Sequence, residues 1–147
     1  MNKRKSSKKR NHKLYVDLKY DFKLIGIASH EIDYKLIWAV NQALDMNFVR
    51  QENLIVYNKK LDTEQSFSLY NAEDENNQII FNFISNRCEN GFLAEEINTF
   101  DYFLQIIGEI SNDYRKEIIK KLKSITKVLT AIKIDPNCLV SKQKLVF

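Results

Sequence analysis

Polar side chains that could act on a ligand gather in one stretch of the chain, residues 84–108. The stretch holds an arginine, adjacent acids and an Asp-Tyr pair that leads an apolar run. Clustered carboxyl groups can differ in pKa and so divide the roles of general acid and general base. The same residues could instead have a purely structural role, as a polar cluster that locks a loop onto the sheet. A ligand-binding or hydrolytic site is therefore our weakest functional hypothesis, and its residues would be Arg87, Glu96, Asp101 and Tyr102.

The rest of the chain offers few groups for catalysis. With only three glycines, neither a dinucleotide-binding loop nor a phosphate-cradling loop can be built. A Ser-His-acid or Cys-His-acid relay would depend on His30, because His12 lies within a basic run. Cys88 and Cys138 are far from each other and from both histidines, which excludes the usual zinc spacing and favours free thiols. We predict no catalytic residue, metal or cofactor, and we favour a non-enzymatic protein over an enzyme.

The 84–108 stretch resembles the signature of the IPExxxVDY proteins of Bacteroidetes-type bacteria. Its segment from Ala94 to Tyr102 keeps the signature's Glu as Glu96 and its Asp-Tyr as Asp101 and Tyr102. Similar residues recur over most of residues 20–110. The chain departs from the signature at three positions, with Ala94 for Ile, Glu95 for Pro and Phe100 for Val. The resemblance implies a bacterial lineage, and it implies no reaction.

Length and charge predict one domain preceded by a basic tail. A chain of 147 residues can bury roughly 68–70% of its unfolded surface. Residues 1–13 carry seven bases and no acid, residues 14–110 carry seven bases and 16 acids, and residues 111–147 carry nine bases and three acids. We predict a disordered tail at 1–12 and a single α+β domain at 13–147. A nucleic-acid-binding arm is the alternative for the tail, and it would bind weakly because it lacks aromatic residues for stacking.

Nothing in the sequence predicts contact with a membrane. No stretch reaches the roughly 18 continuous apolar residues that a spanning helix needs. Charged residues also interrupt the apolar segment that a signal peptide would require after the basic run, namely Asp17, Lys19, Asp21 and Lys23. We therefore expect a cytoplasmic protein.

The elements that must position the polar residues follow from apolar periodicity. Alternating or continuous apolar residues predict strands at 13–18, 22–28, 54–57, 67–70, 79–84, 100–107 and 128–134. One helix is predicted from His30 to Met46 with Ser29 as its N-cap, and a second begins after Ser111 or Asn112. This order predicts a two-layer α+β sandwich, with one mixed β-sheet and two main helices on one face. Its last strand–helix–strand unit should form a parallel pair with a right-handed crossover.

Two large aromatic residues mark the outer side of the first predicted helix. The apolar residues Ile32, Leu36, Ala39, Val40 and Ala43 share an inner face, whereas Tyr34 and Trp38 fall opposite, one turn apart. Either another segment covers them, such as the C-terminal residues, or they form a subunit interface or the wall of a ligand site. The interface is our lead hypothesis: a small non-enzymatic protein that acts through protein–protein contacts, as a homodimer.

Lysines crowd the second predicted helix. Its inner face would contain Tyr114, Ile118, Leu122 and Ile125. Four lysines outside that face could contact phosphates, and with the basic tail they support a second hypothesis, an RNA-associated accessory protein. These lysines are Lys116, Lys120, Lys121 and Lys123.

Overall fold

The computed structural model describes residues 21–147, so the predicted basic tail and the predicted strand at 13–18 lie outside the described residues. The described chain contains ten strands, two helices and three short 3-10 turns. The longer strands are β1 (Phe22–Ala28), β3 (Leu54–Asn58), β4 (Thr63–Phe67), β5 (Leu69–Asp74), β6 (Ile79–Ser85), β9 (Tyr102–Ile107) and β10 (Thr130–Ile134). Three strands have only two residues: β2 (Val49–Arg50), β7 (Arg87–Cys88) and β8 (Gly91–Phe92).

Six strands form the main sheet, in the order β10-β1-β9-β6-β5-β2. All of their hydrogen-bonded pairs are antiparallel. The predicted parallel pair is therefore wrong, because β1 lies between β9 and β10 and pairs with both of them. Gly26, for example, faces Phe103 on one side and Ile132 on the other. Strands β9 and β10 do run in the same direction, but the crossover between them spans an intervening strand.

Both helices pack against one face of this sheet. Helix α1 (Asp33–Leu44) and helix α2 (Asn112–Lys123) contact each other. Their buried side chains share one apolar cluster with the sheet, to which α1 contributes Leu36, Ile37, Val40 and Leu44, and α2 contributes Ile118 and Leu122. The predicted α+β sandwich with two helices is confirmed.

The two helices differ in how closely they follow their sequence signals. Helix α2 begins after Ser111, whose hydroxyl oxygen accepts a hydrogen bond from the Tyr114 backbone N–H at 3.0 Å, as an N-cap residue should. Helix α1 begins later than predicted, and its N-cap is Ile32, which is exposed rather than part of the inner face. Within residues 21–147, no helix is long and apolar enough to cross a membrane.

The opposite face of the sheet has a less regular cover. A second apolar cluster lies there, beneath the β3–β4 hairpin, the loop between β6 and β9, and the C-terminal segment (residues 135–147). Its members include Leu24, Phe67, Leu93, Phe103, Leu139 and Leu145. The sequence did not predict this second cover, which ties residues from both ends of the described chain to the same face.

Candidate functional site

Three of the four residues of the predicted polar cluster meet at one end of the sheet. Arg87 follows β6, while Asp101 and Tyr102 lie where β9 begins. Because Ser85 pairs with Tyr102 in the antiparallel β6–β9 ladder, these positions become neighbours. Strand β1 ends at the same edge, since Ile27 also pairs with Tyr102. The turn after β1, which begins with Ser29, therefore forms the third side of the site.

Asp101 is a buried carboxylate with both oxygens occupied. Its Oδ1 accepts a hydrogen bond from Arg87 Nε at 2.5 Å, and its Oδ2 accepts one from the Ser29 backbone N–H at 2.8 Å. The Asp101 side chain is 9% exposed and that of Arg87 is 55% exposed. Since each of its oxygens already accepts a hydrogen bond and little of it meets solvent, Asp101 is suited to anchoring Arg87 and poorly suited to removing a proton from a substrate.

Arg87 is also held by an aromatic ring. The guanidinium carbon lies 5.2 Å from the centroid of the Phe92 ring, within the range of a cation–π contact. Phe92 is brought there by the short β7–β8 hairpin, in which it pairs with Arg87. Arg87 is thus fixed through Nε and through one face of its guanidinium plane.

Tyr102 is a fixed hydrogen-bond donor. Its hydroxyl donates to the Glu31 carbonyl oxygen at 2.6 Å, and its ring stacks on Phe83 at 5.2 Å between centroids. Burial, followed by the nearby charges of Asp33 and Asp101, raises the pKa of Tyr102 well above its ordinary value. Tyr102 therefore keeps its proton at neutral pH and joins β9 to the turn before α1.

These residues line an open cleft of about 370 Å³ together with Ser29, His30, Glu31 and Ser85. His30 is exposed, and its side chain makes no hydrogen bond to any residue that the structure describes. From the sequence, His30 was considered only for a catalytic relay and was not grouped with Arg87, Asp101 and Tyr102. Its place in the cleft depends on the pairing of β1 with β9, which brings together residues more than 70 positions apart.

Glu96 does not belong to this cluster. Its carboxylate binds the C-terminal segment, accepting hydrogen bonds from the Ser141 backbone N–H at 3.1 Å and from the Ser141 hydroxyl at 3.0 Å. Burial alone would raise the pKa of Glu96, but hydrogen bonds from its own backbone and from Ser141, with the charge of Lys144, lower that pKa below its ordinary value. The predicted grouping of Glu96 with Arg87, Asp101 and Tyr102 is not what the geometry shows.

The loop is locked mainly by a residue that the sequence argument did not select. Asn86 is completely buried. Its Nδ2 donates to the Phe100 carbonyl oxygen at 2.8 Å, and its Oδ1 accepts from the Ala94 backbone N–H at 2.7 Å. An Asn directly after a buried strand, before a turn, was the available signal, since such an amide can satisfy donors and acceptors of irregular backbone.

Tyr34 and Trp38, the candidate interface, lie on the solvent side of α1. Tyr34 is 58% exposed and Trp38 is 65% exposed. Neither the tyrosine hydroxyl nor the indole N–H has a hydrogen-bond partner in the described part of the chain. The alternative that the C-terminal residues cover them is wrong, because that segment packs on the other face of the sheet. They also do not line the Arg87 cleft.

The four candidate phosphate-contacting lysines are all exposed but not equivalent. Lys116, Lys120 and Lys123 follow i, i+4 and i+7 on α2 and so form one stripe, which we call the lysine stripe. Lys121 lies off this stripe, and its Nζ is 3.2 Å from Oε1 of Glu117. Three of the lysines are therefore placed to act together.

The described residues offer no cluster of His, Cys, Asp and Glu that could hold a metal ion, and Cys88 and Cys138 are free thiols. Comparison of the chain with protein-family models, with curated proteins and with solved structures finds no match. The resemblance to the IPExxxVDY proteins therefore stays a prediction from the motif.

Proposed function

We propose that this chain is a non-enzymatic binding domain that associates with a second copy of itself through the exposed face of α1. The observation that carries the proposal is the exposure of Tyr34 and Trp38, at 58% and 65%, one turn apart on a helix whose other face is in the core. Aromatic residues are enriched in the centres of protein interfaces. Two adjacent exposed rings with unpaired polar tips are typical of such a contact surface.

The charges on the same face favour a second copy as the partner. Lys35 lies in the first turn of α1 and Asp45 directly follows its last residue, and both are exposed. In an antiparallel pairing of two α1 helices about a two-fold axis, each Lys35 faces Asp45 of the other copy. The same pairing sets each Trp38 opposite Gln42 of the other copy, whose amide oxygen can accept the indole hydrogen. The face is thus complementary to itself, as an isologous interface requires.

Light scattering after size exclusion tests the dimer. A single helix face is a small interface, so we expect wild type to pass from monomer to twice the monomer mass of 17.4 kDa. This should occur between about 1 µM and about 100 µM, the range of a weak complex. Trp38→Ala should remain monomeric because it removes the largest contact. Lys35→Glu should also remain monomeric because it places like charges opposite each other.

Tyr57→Ala is the matched control, since Tyr57 is 55% exposed but lies on the β3–β4 hairpin, away from α1. It should dimerise as wild type does. A wild-type protein that is monomeric throughout the range would contradict the proposal. So would a Trp38→Ala variant that dimerises normally.

The lysine stripe favours a second candidate function, association with RNA. Its three ammonium groups lie on the solvent side of α2, in the part of the chain where nine bases outnumber three acids. Phosphates bound along the stripe would release counterions, so affinity should fall steeply with salt.

Filter binding of a single-stranded RNA homopolymer to the full chain tests this candidate. Log affinity falls with log salt, and each phosphate contact makes this negative slope steeper by about 0.7. Replacing Lys116, Lys120 and Lys123 together by Gln should therefore make the slope less steep by about 2. Lys121→Gln, which removes an ammonium already paired with Glu117, should change the slope less. Absence of retention by wild type at about 50 mM salt would exclude the candidate.

A further inference from the structure

We infer that the cleft around Arg87 binds a small oxyanion, a carboxylate or a phosphate group, through the two Nη atoms of Arg87. This site is separate from the α1 surface, and its test does not depend on dimer formation.

The guanidinium fork of Arg87 has no partner in the described chain. Arg50 uses Nη1 for the carbonyl oxygens of Gln51 and Leu69, at 3.0 and 3.2 Å, and Nη2 for Asn53. Arg115 uses Nη2 for Asn112 Oδ1 at 3.1 Å. Arg87 uses only Nε, so among the arginines that the structure describes it alone has both Nη atoms without a hydrogen bond. Four N–H groups of its planar fork remain available.

The Arg87 side chain is also ordered before any ligand arrives. Asp101 holds its Nε at 2.5 Å, and Phe92 lies against its plane at 5.2 Å. Asp101 is itself fixed by the Ser29 backbone N–H at 2.8 Å and is almost fully buried. A long side chain normally loses rotamer entropy when it binds a ligand, and here folding has already restricted it. The remaining edge of the guanidinium matches the two oxygens of a carboxylate or phosphate.

The size and lining of the cleft suit a small anion. A volume of about 370 Å³ lies at the small end of the roughly 300–1,000 Å³ that ligand sites occupy, which favours a small molecule over a macromolecule. His30 adds a side chain with no hydrogen bond to the described chain. The exposed, stacked guanidinium supplies the positive charge.

Two carboxylates in the lining limit the affinity and help to define the test. Asp101 offsets much of the charge of Arg87, so recognition relies on the geometry of the fork more than on net charge. Glu31 also lines the cleft, and its Oε1 accepts a hydrogen bond from the Ile32 backbone N–H at 3.0 Å. Its charge repels an anion. Neutralising Glu31 should therefore tighten binding, whereas a general surface effect would not single out this residue.

The experiment is a ¹H–¹⁵N NMR titration of the full chain, with acetate in one arm and inorganic phosphate in the other. Saturable shifts should appear at the Arg87 Nε–H and at the Ser29 and Tyr102 amides, in the acetate arm, the phosphate arm or both, with a dissociation constant on the order of 1 mM. Saturation by acetate alone assigns a carboxylate ligand, and saturation by phosphate alone assigns a phosphate. Arg87→Lys keeps the charge but loses the fork, so it should weaken binding roughly tenfold.

Arg50→Lys is the matched control, because Arg50 also lies over an aromatic ring, 5.3 Å from the Tyr70 centroid, but its Nη atoms are occupied. It should bind as wild type does. Glu31→Gln should bind the anion a few fold more tightly. Shifts that grow linearly without saturation in both arms would overturn the proposal, as would equal affinity of Arg87→Lys and wild type. If Arg87→Lys does not fold, unchanged affinity in Glu31→Gln would overturn it instead.

Discussion

A single buried amide, that of Asn86, organises the loop between β6 and β9. Its Oδ1 accepts the Ala94 N–H at 2.7 Å and its Nδ2 donates to the Phe100 oxygen at 2.8 Å, so one side chain satisfies backbone groups at two distant points of the loop. The backbone N–H of Asn86 also donates to the backbone carbonyl oxygen of Asp101 at 2.8 Å. The position of Asp101, and through it that of Arg87, therefore depends on a residue with no charge.

Replacing Asn86 by Ala should lower the free energy of unfolding by about 2–4 kcal/mol, because it leaves both a donor and an acceptor buried without partners. Urea denaturation followed by tryptophan fluorescence measures the change. Asn98→Ala, an exposed amide in the same loop, should change the free energy by less than about 0.5 kcal/mol. Similar losses in the two variants would show that the loop is not held by the buried amide.

At the residue scale, the sequence correctly grouped those polar residues that lie next to strand ends. Arg87, Asp101 and Tyr102 converge because each lies at the end of a strand, and the ends of neighbouring strands meet. Glu96 lies within an irregular loop, where nearness in sequence does not fix the direction of a side chain. Its partner Ser141 is 45 residues away, and nothing in its neighbours indicates that contact.

At the element scale, the two helix starts show why one boundary was predicted and the other was not. The Ser111 hydroxyl accepts a hydrogen bond from a backbone N–H three positions away, so the local sequence pattern was enough to predict this helix start. The hydroxyl of Ser29 instead donates to the Lys127 carbonyl oxygen at 2.8 Å, across 98 positions, and accepts the Glu31 N–H at 3.2 Å. The long-range bond to Lys127 orients the Ser29 hydroxyl, whose oxygen then caps only the Glu31 N–H, and α1 begins at Asp33.

The attachment of the C-terminal segment by Glu96 should depend on pH. Because the folded state lowers the pKa of Glu96, its ionised form stabilises the fold. That contribution is fully present above the ordinary pKa of 4.5 and is lost as the pH falls through the lowered value. Wild type should therefore be more stable than Glu96→Gln at neutral pH. The difference should shrink below about pH 4, where the unfolded carboxyl is largely protonated.

Thermal unfolding of both proteins between about pH 7 and about pH 3 measures this difference. Glu95→Gln is the control, since Glu95 is an exposed neighbour without a hydrogen bond to the described chain. It should follow wild type at every pH. A constant gap between Glu96→Gln and wild type across the range would contradict the proposed role of the ionised carboxylate.

At the scale of the whole molecule, one antiparallel sheet separates two unlike layers. Regular helices cover one face and irregular segments cover the other. The helical layer was predictable, because a helix shows its buried face in its own 3.6-residue period. The irregular layer was not, since segments without a period leave no such pattern. The strand order was missed for a related reason: apolar runs identify strands, but the pairing of β1 with both β9 and β10 is decided by contacts between distant residues.

The central position of β1 has a consequence for synthesis on the ribosome. Among the described strands β1 is translated first, yet both of its neighbours in the sheet are translated last. At elongation rates of about 5–20 residues per second, the 73 residues between Ala28 and Tyr102 take roughly 4 to 15 s to add. During that interval a nearly continuous apolar strand has no native partner in the nascent chain. We therefore expect the domain to close late, after the chain has emerged, with β1 exposed to chaperones until then.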